Sequence, residues 1–257
     1  SYVNLIKKNL NSKIIIYFHN DPLTMKGSIS IKDRINLLIK SEKIIFNSKW
    51  CKSRFIKNLN YSSYENKTIV IPQSTSKVKI NFKNKKKIIS FVGKLNTSKG
   101  YDSFGKAILK ILNEFSEWES IVIGDEPREK LIFYHKRLKL LGFKSNKFIL
   151  NKLKEVSISV VPSKWNEPFG RSSLEASSRG CALITSNRGG LGETTKDCLV
   201  ISNINDKSIY NKIKLLIINE KLRKKLQKNT YKNFFLTNKY VSKQIDKVRE
   251  NISKIKK

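Results

Sequence analysis

Glu167 and Glu175, in the run SKWNEPFGRSSLEASSRG (Ser163–Gly180), stand at an E-x7-E spacing in a chain with 53 Lys and Arg against 20 Asp and Glu. Phe169-Gly170 between them reads as a helix start. Glu167 precedes that helix and Glu175 lies more than a turn inside it, so the two carboxylates need not touch one atom. They could accept hydrogen bonds from hydroxyls at two ends of one polyol. The unpaired N–H groups of the helix start suit an anion between them. Two solvated acids among lysines are the alternative.

Three further loops carry compatible chemistry. In VGKLNTSKG (Val92–Gly100), Gly93 permits a sharp turn, and Lys94 and Lys99 place two cations beside a helix start, a phosphate or diphosphate site. An ordinary polar loop would look the same. It is neither a Walker loop nor a G-x-G-x-x-G loop, which argues against a dinucleotide fold. IGDEPREK (Ile123–Lys130) reads more simply as a capped helix start with Asp125 and Glu126 in its first turn. In SNRGGLGET (Ser186–Thr194), Gly189 and Gly190 allow close backbone approach to an anion and Glu193 follows at the next helix start; a plain turn is the rival.

The elements that must position these loops follow from apolar periodicity. Short apolar runs alternate with amphipathic segments, the mark of β/α units around a parallel sheet. Strands are expected at Lys13–Phe18, KIIFN, Thr68–Pro72, KIISFVG, SIVIG, a weak KFIL, SISVVP and ALITS. Helices are expected at Ile31–Ser41, after Ser48 as N-cap, and at Tyr101–Asn113, Glu129–Leu141, NKLKEV and Gly170–Arg179. From Asp206 the chain reads as helical with two or three breaks. Residues 73–86, polar and aperiodic, mark a domain boundary. An open doubly wound sheet is the natural closure, and its ligands bind beyond the carboxyl ends of the strands, where all four loops fall.

Hydrophobic residues at 39 % and charged residues at 28 % indicate a folded chain rather than a disordered one. The net charge of +33 favours anionic partners, although Lys spread evenly among Ile and Asn also fits a general composition bias. Cys51, Cys181 and Cys198 form no C-x-x-C pair and suggest neither a disulfide framework nor zinc, but reduced thiols in the cytoplasm. The chain starts at Ser1 and runs quickly into its first strand, so an upstream segment is expected to be missing.

VGKLNTSKG, IGDEP, PSKWNEPFGRSSLEASSRG and SNRGGLGE together resemble the retaining glycosyltransferases of the GT-B fold, family 4. The likeness is closest to members that build lipopolysaccharide and other surface polysaccharides. The resemblance implies an α/β, GT-B-type protein. Residues 1–77 would be the second half of an N-terminal, acceptor-side Rossmann-like domain. Residues 78–230 would be a Rossmann-like C-terminal domain for a nucleotide-sugar donor, with 231–257 returning toward the first domain.

It implies metal-independent, hexosyltransferase-type transfer from a UDP- or GDP-linked sugar to a saccharide or lipid-linked acceptor, with no cofactor and no nucleic-acid partner. The setting would be cytoplasmic, with peripheral contact to anionic inner membrane. Lys94 and Lys99 would neutralise the diphosphate and Glu175 would bind the ribose. Glu167 and His19 (in FHNDP) would face the transferred sugar, and the amides of Phe169 and Gly170 would meet sugar and phosphate. Gly93, Gly189, Gly190 and Glu193 would complete the donor cleft, whereas His135, read as mid-helix, would only pack. Glu126 departs from the family, which prefers glycine there. A non-catalytic nucleotide-sugar-binding remnant and a basic nucleic-acid-binding protein are the competing readings, the latter without a recognisable RNA module.

Overall fold

The computed structural model describes residues 13–254; residues 1–12, assigned above to the first domain, and 255–257 lie outside it. The described residues form two compact units. One comprises residues up to Ser74, Glu167–Phe169 and residues from Leu236 onward; the other comprises Thr75–Asn166 and Gly170–Phe235.

The first unit holds a parallel sheet of β1 (Ile15–Phe18), β2 (Lys43–Phe46) and β3 (Thr68–Val70), in that order. Helices α1 (Ile31–Lys40) and α2 (Lys49–Ile56) provide the crossovers. Ser30 and Ser48 start them as N-caps, with Ser48 Oγ accepting the Cys51 N–H at 2.9 Å. One sheet face buries Phe18, Phe46 and Phe55, and the other buries Ile45 and Ile71 against the last helix, Asn238–Lys254.

The second unit begins with β4 (Lys86–Val92), α3 (Tyr101–Glu114), β5 (Glu119–Ile123), β6 (Leu138–Leu140) and α4 (Asn146–Lys152). It continues with β7 (Val156–Val161), α5 (Arg171–Ser178), β8 (Ala182–Ser186), β9 (Cys198–Ile201), α6 (Asp206–Ile218) and α7 (Glu220–Lys232). Its six strands are all parallel, ordered β6-β5-β4-β7-β8-β9. Successive residues of the central strands serve opposite cores. Ile89, Phe91, Val122 and Ile184 pack with α3 and α6, while Ile88, Ile121, Ile123 and Leu183 pack on the other face with Ala176 of α5. From β4 the chain steps outward to β5, then returns to β7 on β4's other side. The β4/β7 border is therefore the topological switch point, where a doubly wound sheet opens a crevice.

The structure corrects the sequence reading between Gly124 and Val156. No helix spans Glu129–Leu141; the chain turns at residues 127–129, runs extended and forms β6. The governing period there is two: Leu131 and Phe133 pack on the core, while Ile132 and Tyr134 are 80 % and 88 % exposed. Gly105 of α3 gives the Phe133 ring its seat, since a Cβ on Gly105 would lie 2.1 Å from that ring. His135 accordingly sits before β6 rather than in a helix, its Nδ1 accepting the Arg137 N–H at 3.0 Å. The expected weak strand KFIL belongs to α4, capped by Ser145, and the expected NKLKEV helix contributes only its first two residues to α4. Strand β9 had no place in the sequence reading.

Part of the basic charge is spent inside this unit. Lys85 Nζ donates to the carbonyls of Leu153, Val156 and Arg179 at 3.0, 2.7 and 2.8 Å, and burial pushes its amine pKa down. Arg137 donates to the carbonyls of Leu112, Phe115 and Trp118 around the end of α3, and Arg223 to those of Leu216 and Ile217 at the end of α6. Apart from those of Val156, which opens β7, and Trp118, which lies beyond α3, these are carbonyls at helix ends, the groups that cations satisfy best.

Gly100 and Gly142 have nearly the same left-handed φ, +73° and +68°, but a Cβ on Gly100 would fall 2.0 Å from the Pro162 carbonyl oxygen, whereas Gly142 faces open space. Alanine at either position should cost about 1 kcal/mol for the backbone alone. Gly100→Ala should lose roughly 2 kcal/mol more by overpacking. Denaturant melts giving equal losses for the two variants would mean that the two loops do not approach so closely.

Candidate functional site

The loops that follow β4, β5, β7 and β8 converge at the carboxyl edge of the six-stranded sheet. The Gly93 N–H donates to the Ile123 carbonyl at 3.0 Å, and a Cβ on Gly124 would meet the Gly93 oxygen at 1.9 Å. Across the switch point, the N–H groups of Lys164 and Trp165 both donate to Ser98 O, at 2.9 and 3.0 Å. Ser172, in the first turn of α5, donates its hydroxyl to Val92 O at 2.8 Å. Ser186 Oγ, at the end of β8, reaches Ser163 O at 2.6 Å. These bonds tie the lysine loop, the acidic loop and the glycine loop into one rim.

On that rim Lys94 is exposed and Lys99 half-buried, with the Lys99 N–H held by Asn96 Oδ1 at 3.0 Å. Gly170 (φ +114°) opens α5; a Cβ there would press within 2.5 Å of Leu191, just beyond Gly189 and Gly190. Ser173 and Thr194 hydroxyls bond at 2.7 Å, fixing α5 to the short 3-10 turn Gly190–Glu193. That turn leads to β9, not to the helix expected after Glu193. Glu126 is paired with Arg128, which holds its carboxyl at about 2, with Lys94 adding a smaller pull. An acid therefore stays ionised beside the lysine loop.

Glu175 is the distinctive group. Its residue is 4 % exposed, and burial raises its carboxyl pKa against the opposing pull of Arg171. Asn146 Nδ2 donates to Oε1 at 2.8 Å and Arg171 to the same oxygen at 2.9 Å. The Arg171 contact is an i,i+4 pair readable in sequence; the Asn146 contact, 29 residues distant, is not.

The remaining assigned residues belong to the first unit. Glu167 and Phe169 flank Pro168, whose carbonyl accepts from Ser48 Oγ at 2.6 Å, and Phe169 is buried. His19 stacks on Tyr17 with ring centroids 4.2 Å apart, and its Nδ1 lies 2.7 Å from the Gln73 amide. With that amide donating, Nδ1 is the acceptor of the pair. Gln73, like Asn146, escaped the sequence reading because its partner is brought to it only by folding. Among the described residues no three His, Cys, Asp or Glu side chains converge in a way that would hold a metal ion.

A parallel switch-point sheet rimmed by lysines, a helix start and a clamped carboxylate coincides with the family model "Glycosyl transferases group 1", which matches residues 72–233. The chain belongs to this family. This glycosyltransferase group 1 chain is 26 % identical over 285 residues to "Putative glycosyltransferase YtcC" of Bacillus subtilis (strain 168), covering 97 % of itself and 70 % of YtcC. Among solved structures it resembles sucrose-phosphate synthase from Thermosynechococcus elongatus (TM-score 0.77, 15 % identity, 98 % and 70 % of the two chains). It also resembles Anabaena HepE in complex with UDP-glucose (TM-score 0.73, 15 % identity, 93 % and 72 %). At such identities the likeness is one of fold: the GT-B arrangement of Rossmann-like parallel sheets. No helix among the described residues is long and apolar enough to cross a membrane.

The Glu175 proton has a measurable consequence. With its pKa raised by burial, the folded protein retains a proton that the unfolded chain releases near pH 4.3, a usual value for Glu. Stability is therefore lost as pH climbs through that window and stays lost above the folded value. Glu175→Gln should stabilise the ligand-free protein at pH 7 by on the order of 1 kcal/mol and change little at pH 4. Thermal melts at the two pH values check this; equal effects at both would show that the carboxyl carries no burial penalty.

Proposed function

We propose that the chain supplies the donor-binding half of a retaining, family 4 glycosyltransferase. It would transfer a hexosyl group from a UDP- or GDP-linked sugar to a saccharide or lipid-linked acceptor during surface polysaccharide or lipopolysaccharide synthesis. The observation that carries this reading is the clamped, buried Glu175 on the helix that starts at the switch point, in a chain of the glycosyl transferases group 1 family. A buried carboxylate with an oxygen left to accept is suited to a ribose diol. HepE, which shares the fold, is known in complex with UDP-glucose.

The physical requirement is departure of a nucleoside diphosphate from the anomeric carbon. Negative charge grows on the leaving phosphate oxygen, so fixed cations and N–H groups aimed there lower the barrier. Lys94, Lys99 and the start of α5 fill that role without a metal ion. Gly93, Gly170, Gly189 and Gly190 let the backbone approach the phosphates, and Glu193 lines the nucleotide end. To His19 and Glu167 we assign hydroxyls of the transferred sugar, and to Phe169 its backbone amide. The acceptor oxygen attacks from the leaving-group side, its proton passing to the departing phosphate, which preserves the anomeric configuration. No cofactor is required, and the setting is cytoplasmic, with basic surface meeting anionic lipid at the inner membrane. A nucleic-acid partner is less favoured, because no recognisable RNA module accompanies the charge of +33.

UDP or GDP should raise the melting temperature, and Glu175→Ala and Lys99→Ala should each weaken that nucleotide at least about tenfold, the worth of a hydrogen bond to a charged group. Unchanged affinity in both variants would overturn the donor-site assignment. Binding that vanishes in EDTA and returns with magnesium would overturn metal independence.

A further inference from the structure

Among the described residues, both hydrogen bonds to the Glu175 side chain fall on one oxygen, and they come from different elements. Arg171 is on the same helix, one turn earlier, with 52 % of its side chain exposed. Such an i,i+4 pair offsets part of the cost of burying the carboxylate, but it comes from the helix that carries Glu175 itself. Asn146 arrives from elsewhere: it is the first residue of α4, carried by the loop after β6. That loop is held on both sides. Gly142 O accepts the Gly124 N–H at 2.9 Å, and α4 is tied to the end of α5 by Arg179 Nε, which donates to Leu150 O at 3.2 Å. A side chain anchored on a separate, pinned element restrains the rotation of its partner in a way that a neighbour on the same helix does not. Asn146 is otherwise an exposed residue, so its reach toward a buried carboxylate has no role in filling the core.

Resting on the reading of Glu175 as the ribose acceptor, we propose that Asn146 is its positioning residue. By occupying Oε1, the Asn146 amide turns Oε2 toward the ribose hydroxyls and so sets the preference for ribonucleotides over deoxyribonucleotides. A neutral amide suits the task, since it orients the carboxylate without cancelling the charge that the hydroxyls need.

The experiment is calorimetric titration with UDP and 2′-deoxy-UDP, or with GDP and 2′-deoxy-GDP if the guanine nucleotide is the one bound. Wild type is expected to favour the ribonucleotide about tenfold or more, from one hydrogen bond to a charged acceptor. Asn146→Ala should reduce that preference to within about threefold through loss of ribonucleotide affinity, with deoxynucleotide affinity unchanged. In a Glu175→Ala background, Asn146→Ala should change nothing further. A preference that survives Asn146→Ala but disappears in Glu175→Ala, or that collapses in Arg171→Gln instead, overturns the role of Asn146. A preference that survives Glu175→Ala, or a wild type that binds neither nucleotide, overturns the ribose reading on which the proposal stands.

Discussion

At the carboxyl edge of the six-stranded sheet, loop backbone lies directly on loop backbone, with no side-chain carbon between. Gly124 sits against the Gly93 carbonyl and Gly100 against that of Pro162, each closer than any Cβ would permit. The first contact joins the loops of β4 and β5, and the second joins those of β4 and β7 across the switch point. The lysine loop and the start of α5 are placed through them. Lys94 and Lys99 ride on the β4 loop, and the strand-to-helix turn that starts α5 follows directly from Pro162. Glycine is required here for lack of space as well as for backbone conformation, and substitution cannot be absorbed by a rotamer change.

What could be read in the sequence, and what could not, follows from the range of the deciding forces. The alternation of apolar runs and amphipathic helices located β4, β5, β7, β8, α3 and α5 because each buries a pattern complete within a few residues. The E-x7-E spacing with its helix start was equally local. The segment from Gly124 to Val156 was not. Helix-compatible residues there are held extended by Phe133 on Gly105 and by Arg137 on the carbonyls ending α3, contacts that exist only once α3 is in place. Strand β9 (CLVI) is a short edge strand whose side chains are mostly half-exposed, so it lacks the buried run that marked its neighbours. Asn146 and Gln73 escaped for the same reason: a lone polar residue acquires meaning only from a partner far away in sequence.

Glu175 illustrates a tension common to binding sites. Burial makes its charge unfavourable, while Asn146 and Arg171 restore part of what water would have given. A carboxylate held by two donors on one oxygen is ordered yet unsaturated, which is the state a hydroxyl ligand can complete. The empty protein is therefore less stable than it could be at the very position assigned to the donor.

The lysines and arginines divide into two populations that ionic strength would separate. Exposed bases such as Lys94 lie in solvent, where mobile ions screen them within about 10 Å at 0.1 M salt. Lys85, with its amine against three main-chain carbonyls, is withdrawn from that atmosphere. Salt strong enough to strip an anion from the surface would leave such internal brackets closed. The fold would thus outlast the attraction that the same residue types exert on its ligands.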